Sequence, residues 1–233
     1  MKKVTTLVLL LAISLSLIGS SQAEMGGIKL RDFPSHSLLN QTLKLHSPYP
    51  LGKLVILPIG EFDQIQAAGI ISRVDQLPAS LLNKIVKEDI KLKLFVGKLT
   101  DNPSAKGLAG IIPRGYKSNT TWDKVPGIGG GKTVLVKIGS SEKGEGHGSV
   151  NLELHELAHS IDKYVYNGIR YDPRYLAIWT KECAVLFPNQ DYFLSYPEEY
   201  FAEAFAMYYL NKQTRFILQA KAPETFHYIK KLN

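Results

Sequence analysis

Apolar side chains recur along this chain at several spacings, and each spacing predicts a different kind of element. After Lys2 and Lys3 an apolar run covers Leu7 to Ile18, followed by a small-residue cleavage site at Ser21-Gln22-Ala23. That is the make-up of a secretory leader, so residues 1–23 are set apart from the folded protein. Residues 24 to 50 read as an N-terminal arm, with a short helix around Ser37 to Leu45 and a break at Pro48 and Pro50. Lys53 to Pro58 is a compact β-type run. Phe62 to Arg73 repeats at helical spacing with Ile65, Ala68 and Ile70 or Ile71 inward, and a second helix after Pro78 carries Leu81, Leu82, Ile85 and Val86. Alternation from Ile90 to Val96 predicts a strand with one buried face, and a further β-run spans Thr133 to Ile138. From Val150 onward the pattern is helical. The chain is therefore predicted to be α+β: one domain over 24–233, with a mixed α/β half and small sheet over about 24–148 and an all-helical half over about 149–233.

The first helix of the second half carries chemistry. Leu154, Leu157, Ala158, Ile161 and Val165 form its apolar stripe, and beside that stripe stands His155-Glu156-x-x-His159. Residues four apart lie one helical turn above each other, so His155 and His159 can direct imidazole nitrogens at one Zn²⁺ while Glu156 stands beside the open coordination position; Asp162 falls near the same face. A catalytic zinc needs a third protein ligand. A second helix, Ser195 to Tyr209, supplies it: Ser195 and Glu198 fit a capping box with Pro197 in the first turn, and Glu199 and Glu203 share a face away from Phe201, Phe205 and Tyr208. Glu199 is the expected third ligand to a single Zn²⁺ per chain, and Glu203 the carboxylate that orients a ligand histidine.

Composition narrows the remaining choices. Lys+Arg number 28 against 21 Asp+Glu, and the net +7 drops to about +5 without Lys2 and Lys3. The lysines are scattered, which argues against a nucleic-acid partner. Cys183 is the only cysteine, so an exported chain has no internal disulfide, and its apolar surroundings read as core. Nothing marks a lipid or membrane anchor. Gly131-Lys132-Thr133 is not a phosphate loop, because Pro126 stands where its first glycine belongs and a strand follows. Gly107 to Lys132 is rich in turns, as functional loops are. His147, between Gly146 and the metal helix, either faces the cleft or solvates a loop.

The segments NLELHELAHSID, YFLSYPEEYFAEAF and APETF resemble the anthrax-lethal-factor-like zinc metalloproteases. LFVGKLTD, TWDKVPGIGG and KGEGH bring the chain closer to the secreted Pro-Pro endopeptidases of Gram-positive bacteria, and the resemblance runs from Lys53 to Leu232. It implies a zincin-type cleft between the two halves, zinc on His155, His159 and Glu199, Glu156 as catalytic base and Tyr192 as the active-site tyrosine, with Tyr196 close by. It further implies a substrate-binding role for Arg114, Tyr116, Trp122 and Glu198, with His147 a further candidate; Tyr116 stands where the family has tryptophan, and the 129–132 segment varies among members. The expected protein is a secreted, monomeric zinc endopeptidase acting on a proline-rich peptide or bacterial surface protein. The rivals are a lethal-factor-like peptidase of different specificity and a non-catalytic binding module.

Overall fold

The computed structural model describes residues 26–115 and 119–232, so the leader segment lies outside the described residues. The N-terminal half is built on a five-stranded sheet of β1 (Ile28–Lys29), β2 (Val55–Leu57), β3 (Lys91–Phe95), β4 (Gly127–Ile128) and β5 (Thr133–Lys137), ordered β1-β2-β3-β5-β4. The three central strands are parallel and each edge strand runs antiparallel to its neighbour. Two short helices, α1 (Leu38–Thr42) and α2 (Pro48–Leu54), precede β2. Parallel neighbours cannot be joined by a tight turn, and β2 reaches β3 through α3 (Gln64–Val74) and α4 (Ala79–Lys87).

Several expectations are corrected here. Pro48 and Pro50 do not break the chain: they fall in the first turn of α2, where a missing N–H is no loss, and that helix takes Lys53 and Leu54 away from the β-run. α1 is shorter than Ser37–Leu45, starting where the Ser37 hydroxyl accepts the Asn40 N–H. Asp63 caps α3, which buries Ala67, Ala68, Ile70, Ile71 and Val74 while Ile65 stays 51% exposed. At 100° per residue Ile65 falls about 60° beyond the edge of that buried arc. β3 is covered on both faces. Leu92 and Leu94 join Val134 and Val136 in the main core under the helices, while Phe95 and Leu135 form a second cluster with Leu99, Ala105 and the edge of Trp122. The turn-rich segment thus covers the sheet's other face, and it also contributes β4, a two-residue strand too short to show alternation.

The helical half comprises α5 (Leu152–Ser160), a π turn (Ile161–Val165), α6 (Pro173–Leu186), α7 (Asp191–Ser195), α8 (Pro197–Leu210), α9 (Lys212–Lys221) and α10 (Pro223–Lys230). α5 lies between the β4/β5 edge of the sheet and α8. It starts at Asn151, whose buried side chain accepts the Leu154 N–H at 3.0 Å. α8 is buried on every side from Glu198 to Tyr209 and starts two residues later than the sequence suggests. Tyr196 is its N-cap and Ser195 closes α7. The expected capping box is absent because the Glu198 carboxylate turns to an arginine instead of back to the N-cap. Packing from α6 sets the start of α8: the Tyr175 hydroxyl donates to the Pro197 carbonyl at 2.8 Å, and the Trp179 indole N–H to the Phe193 carbonyl at 3.0 Å. Among the described residues no helix is long and apolar enough to cross a membrane.

Candidate metal centre

α5 and α8 pack face to face, and the residues where they meet are polar. His155 Nε2 and His159 Nε2 stand 3.2 Å apart, and Glu199 Oε2 is 3.3 Å from each. These three donors form a nearly equilateral triangle. Ligands at the corners of a zinc tetrahedron with bonds of about 2.0–2.1 Å stand about 3.3–3.4 Å from one another, so the triangle has the size of one zinc face. Two imidazoles and one carboxylate are also a donor set that catalytic zinc sites use. Burial alone would raise the Glu199 carboxyl, yet its hydrogen bonds with His155 and His159 hold it well below the usual carboxylate range.

Glu203 fixes the first of these histidines. Its Oε2 lies 3.0 Å from His155 Nδ1, and its Oε1 accepts the Val150 N–H at 2.9 Å. A carboxylate only accepts, so Nδ1 donates to Glu203, and Nε2 is the ring nitrogen turned to the triangle. Glu156 is on the next position of α5 and is not part of the donor set. Burial pushes its carboxyl up, opposed by the two histidines and by a backbone hydrogen bond from Gly129. Gly129 follows β4 and touches the helix: a Cβ there would stand 2.0 Å from the Glu156 carbonyl oxygen. Gly127 presses the same helix, with Glu156 Cγ 3.1 Å from an added Cβ. The sheet edge and the metal helix are in contact because two residues have no side chain.

Tyr192, on α7, is half-buried and faces the charge of Glu199. Burial, followed by the Glu199 charge, pushes that hydroxyl far above the ordinary tyrosine range, so it stays a donor at any physiological pH. Tyr196 packs edge-on against Tyr192 with ring centroids 5.4 Å apart, and the Arg114 guanidinium lies 4.1 Å above the Tyr196 ring. Arg114 Nη2 meets Glu198 Oε1 at 2.7 Å and Glu199 Oε1 at 3.7 Å, which raises the arginine pKa further. Gly115, next in the loop, has φ +83° and packs against the Tyr192 ring, where a Cβ would come within 2.6 Å. The loop thus closes on the tyrosine and the glutamate pair together.

Two further candidates are placed elsewhere. Trp122 packs in the second cluster, against Phe95, Leu99, Ala105 and Leu135, and its N–H donates to the Ile111 carbonyl. His147 pins the loop before α5: Nε2 donates to the Ser140 carbonyl at 2.9 Å and Nδ1 accepts from the Ser149 hydroxyl at 2.8 Å, so both ring nitrogens are used within that loop. Tyr116 lies outside the described residues. Sequence reasoning did not single out Gly129, Arg170 or Asp123. Arg170 binds the fully buried Asp162 carboxylate at 2.5 Å and reaches Glu198 Oε1, the oxygen that Arg114 also holds, at 3.7 Å. Asp123 gathers the loop by accepting from Thr100 Oγ1 at 2.6 Å, the Gly110 N–H at 2.8 Å and Thr121 Oγ1 at 2.9 Å. The Thr100 hydroxyl first, then the Gly110 N–H, holds the Asp123 carboxyl well below the usual range. Only its place in TWDKVPG, a turn-rich stretch, hinted at such a role.

Comparison with known proteins gives the same address. A family model described as "Anthrax toxin lethal factor, N- and C-terminal domain" matches residues 44–232. The Pro-Pro endopeptidase of Clostridioides difficile (strain 630) is 41% identical over 183 residues, 78% of this chain and 82% of that protein. The Pro-Pro endopeptidase of Paenibacillus alvei is 39% identical over 183 residues, 78% of this chain and 84% of that one. The solved structure of the Pro-Pro endopeptidase PPEP-2 from Paenibacillus alvei superposes with a TM-score of 0.75 at 39% identity, covering 79% of this chain and 100% of that one.

Proposed function

The chain belongs to the anthrax lethal factor family, and from that premise we propose that it is an exported, monomeric, zinc-dependent endopeptidase that hydrolyses the bond between two consecutive prolines. The observation that carries the reading is the donor triangle of His155, His159 and Glu199 with Glu156 held beside it and outside it. His155, His159 and Glu199 would hold the zinc, which when bound would supply Lewis-acid chemistry toward water and carbonyl oxygen. Glu156 takes the proton of the attacking water and passes it to the leaving nitrogen. The Tyr192 hydroxyl, kept protonated by burial, donates to the oxyanion as the carbonyl becomes tetrahedral. Glu203 keeps His155 in the tautomer that leaves Nε2 free to bind metal.

Proline specificity is supported by the names carried by the relatives and by the build of the loop over the site. A Pro-Pro bond is a tertiary amide with no N–H on the leaving side, so strand-like hydrogen bonding recognises it poorly and shape must substitute. Arg114, held between Glu198 and the Tyr196 ring, draws the 110–115 loop down over Tyr192 and Glu199. Residues 1–23 act as the export leader in this reading, and the substrate is a proline-rich segment of a surface protein. Cleavage profiling with a peptide library randomised around Pro-Pro tests it. Cuts confined to Pro-Pro, with alanine at either position removing most of the rate, are the expected result. Efficient cutting at Ala-Ala or lysine-rich sequences with Pro-Pro left whole overturns the specificity, and no cutting of any peptide by zinc-loaded protein overturns the endopeptidase reading.

A further inference from the structure

Beside the ligands, where α5 gives way to the π turn, lies a depression of about 410 Å³ lined by Gly130, Lys163, Asn167, Gly168, Arg170 and Tyr171. It flanks the metal centre. Gly130 stands against His159, whose Cβ is 3.8 Å from where a Gly130 Cβ would be, and its N–H donates to the Ser160 hydroxyl at 3.1 Å. On the far wall Arg170 reaches to within 3.7 Å of Glu198, the neighbour of ligand Glu199.

The two cations of this depression differ in how they are compensated. Arg170 is held by Asp162, whose side chain is fully buried, points inward and also accepts the Arg170 backbone N–H at 3.1 Å. Lys163 has no carboxylate partner among the described residues. Its Nζ reaches the Gly130 carbonyl at 3.2 Å and stays exposed. Among the described residues Lys163 is thus the cation of this depression that has only a carbonyl and the Tyr164 ring, 5.1 Å away, as partners, beside an aromatic rim formed by Tyr171, 76% exposed.

We propose that this depression is a substrate subsite for an acidic side chain, aspartate or glutamate, flanking the Pro-Pro bond, with Lys163 as its counter-charge. The inference rests on the endopeptidase reading and adds the feature that two prolines cannot provide. A proline-rich chain presents many similar apolar rings, so a charge outside the Pro-Pro pair is needed to set which bond is placed over the metal. Lys163 is four residues beyond His159, about 6 Å along a helix axis. An extended peptide advances about 3.3 Å per residue, so the acidic residue belongs about two positions from the scissile bond.

The test scans glutamate against glutamine at two to four residues on each side of Pro-Pro in otherwise neutral peptides, measuring kcat/KM for the natural protein, Lys163→Gln and Lys163→Glu. Lys163 is exposed and outside the catalytic machinery, so both variants should fold and cut neutral peptides at the natural rate. One position should prefer glutamate by about 2- to 5-fold, the range of an exposed ion pair, and the preference should shrink with salt. It should vanish in Lys163→Gln and reverse, in favour of glutamine, in Lys163→Glu. Absence of any such position, or an unchanged preference in Lys163→Gln, overturns the subsite. Binding of the same peptides to Glu156→Gln protein by fluorescence anisotropy separates the two readings. If no Pro-Pro peptide is cut, the activity has failed; a glutamate preference in binding that Lys163→Gln removes would still support the subsite, and equal binding would reject it.

Discussion

In the proposed mechanism Glu156 stands beside the metal without binding it, and its neighbours in the fold are arranged for that. The histidines one position before and three positions after take up the donor face, while Gly129 brings the sheet edge against the helix at Glu156 itself. Glu156→Ala is expected to lower kcat by about 100-fold to 10,000-fold with one zinc per chain retained, checked by metal analysis beside a peptide assay. Comparable turnover in that variant would mean that another group is the base. Gly129→Ala places a methyl 2.0 Å from the Glu156 carbonyl, so strand or helix must move; a fall in the melting temperature together with at least about 10-fold loss of kcat is expected, since small displacements at a reacting centre carry large rate effects. Tyr192→Phe removes a donor to charge that exists only in the transition state, and should lower kcat by about 100-fold with KM little changed. Tyr196→Phe, which leaves the ring under Arg114 in place, should be milder; the reverse ranking would move the oxyanion role to Tyr196. At this scale the grouping of His155, His159 and Glu199, and the Glu203 contact with His155, were legible because a helical period maps spacing directly onto a face. Gly129, Arg170 and Asp123 were not, because each acts across more than seven residues of chain or through a contact visible only once β4 lies on α5.

Elements show the same division between local and distant causes. α3 and α4 announce themselves by period, whereas the start of α8 is set by Tyr175 and Trp179 on α6, which bond to Pro197 and Phe193 from about twenty and fourteen residues away. A local capping rule could not see Arg114 taking the Glu198 side chain. Pro48 misled for a different reason, since proline both ends helices and begins them. The strands β1 and β4, two residues each, carry no readable alternation. The loop that delivers α5 to the site depends on His147, whose pKa burial lowers from 6.5. Its neutral form therefore belongs to the folded state: the stabilisation is fully present above about pH 6.5 and is lost as pH falls through the lower folded value. The melting temperature should drop between pH 7 and pH 5, and His147→Gln should reduce that drop by about 1–3 °C; identical profiles for the two proteins would remove His147 as the titrating group.

At the scale of the whole molecule, one apolar core runs from the sheet through α5 into α8 and the C-terminal helices, so the two halves share the helix that carries the histidines. The α+β class and the order of the halves were legible from the change of period near Val150. The second small cluster, which turns the 99–124 segment from an open loop into a cover for the sheet, was not, because its apolar residues are few and irregularly spaced. In the proposed function this architecture serves one metal and one bond: His155, His159 and Glu199 would hold a single zinc, required for cutting Pro-Pro. The direct measurement is a zinc titration of metal-free protein against a Pro-Pro peptide, reading product by mass spectrometry. The account predicts no cleavage before zinc is added, a linear rise that breaks at one zinc per chain, and a single cut between the prolines. Cleavage by metal-free protein, a break at another stoichiometry, or a cut elsewhere in the peptide would contradict it.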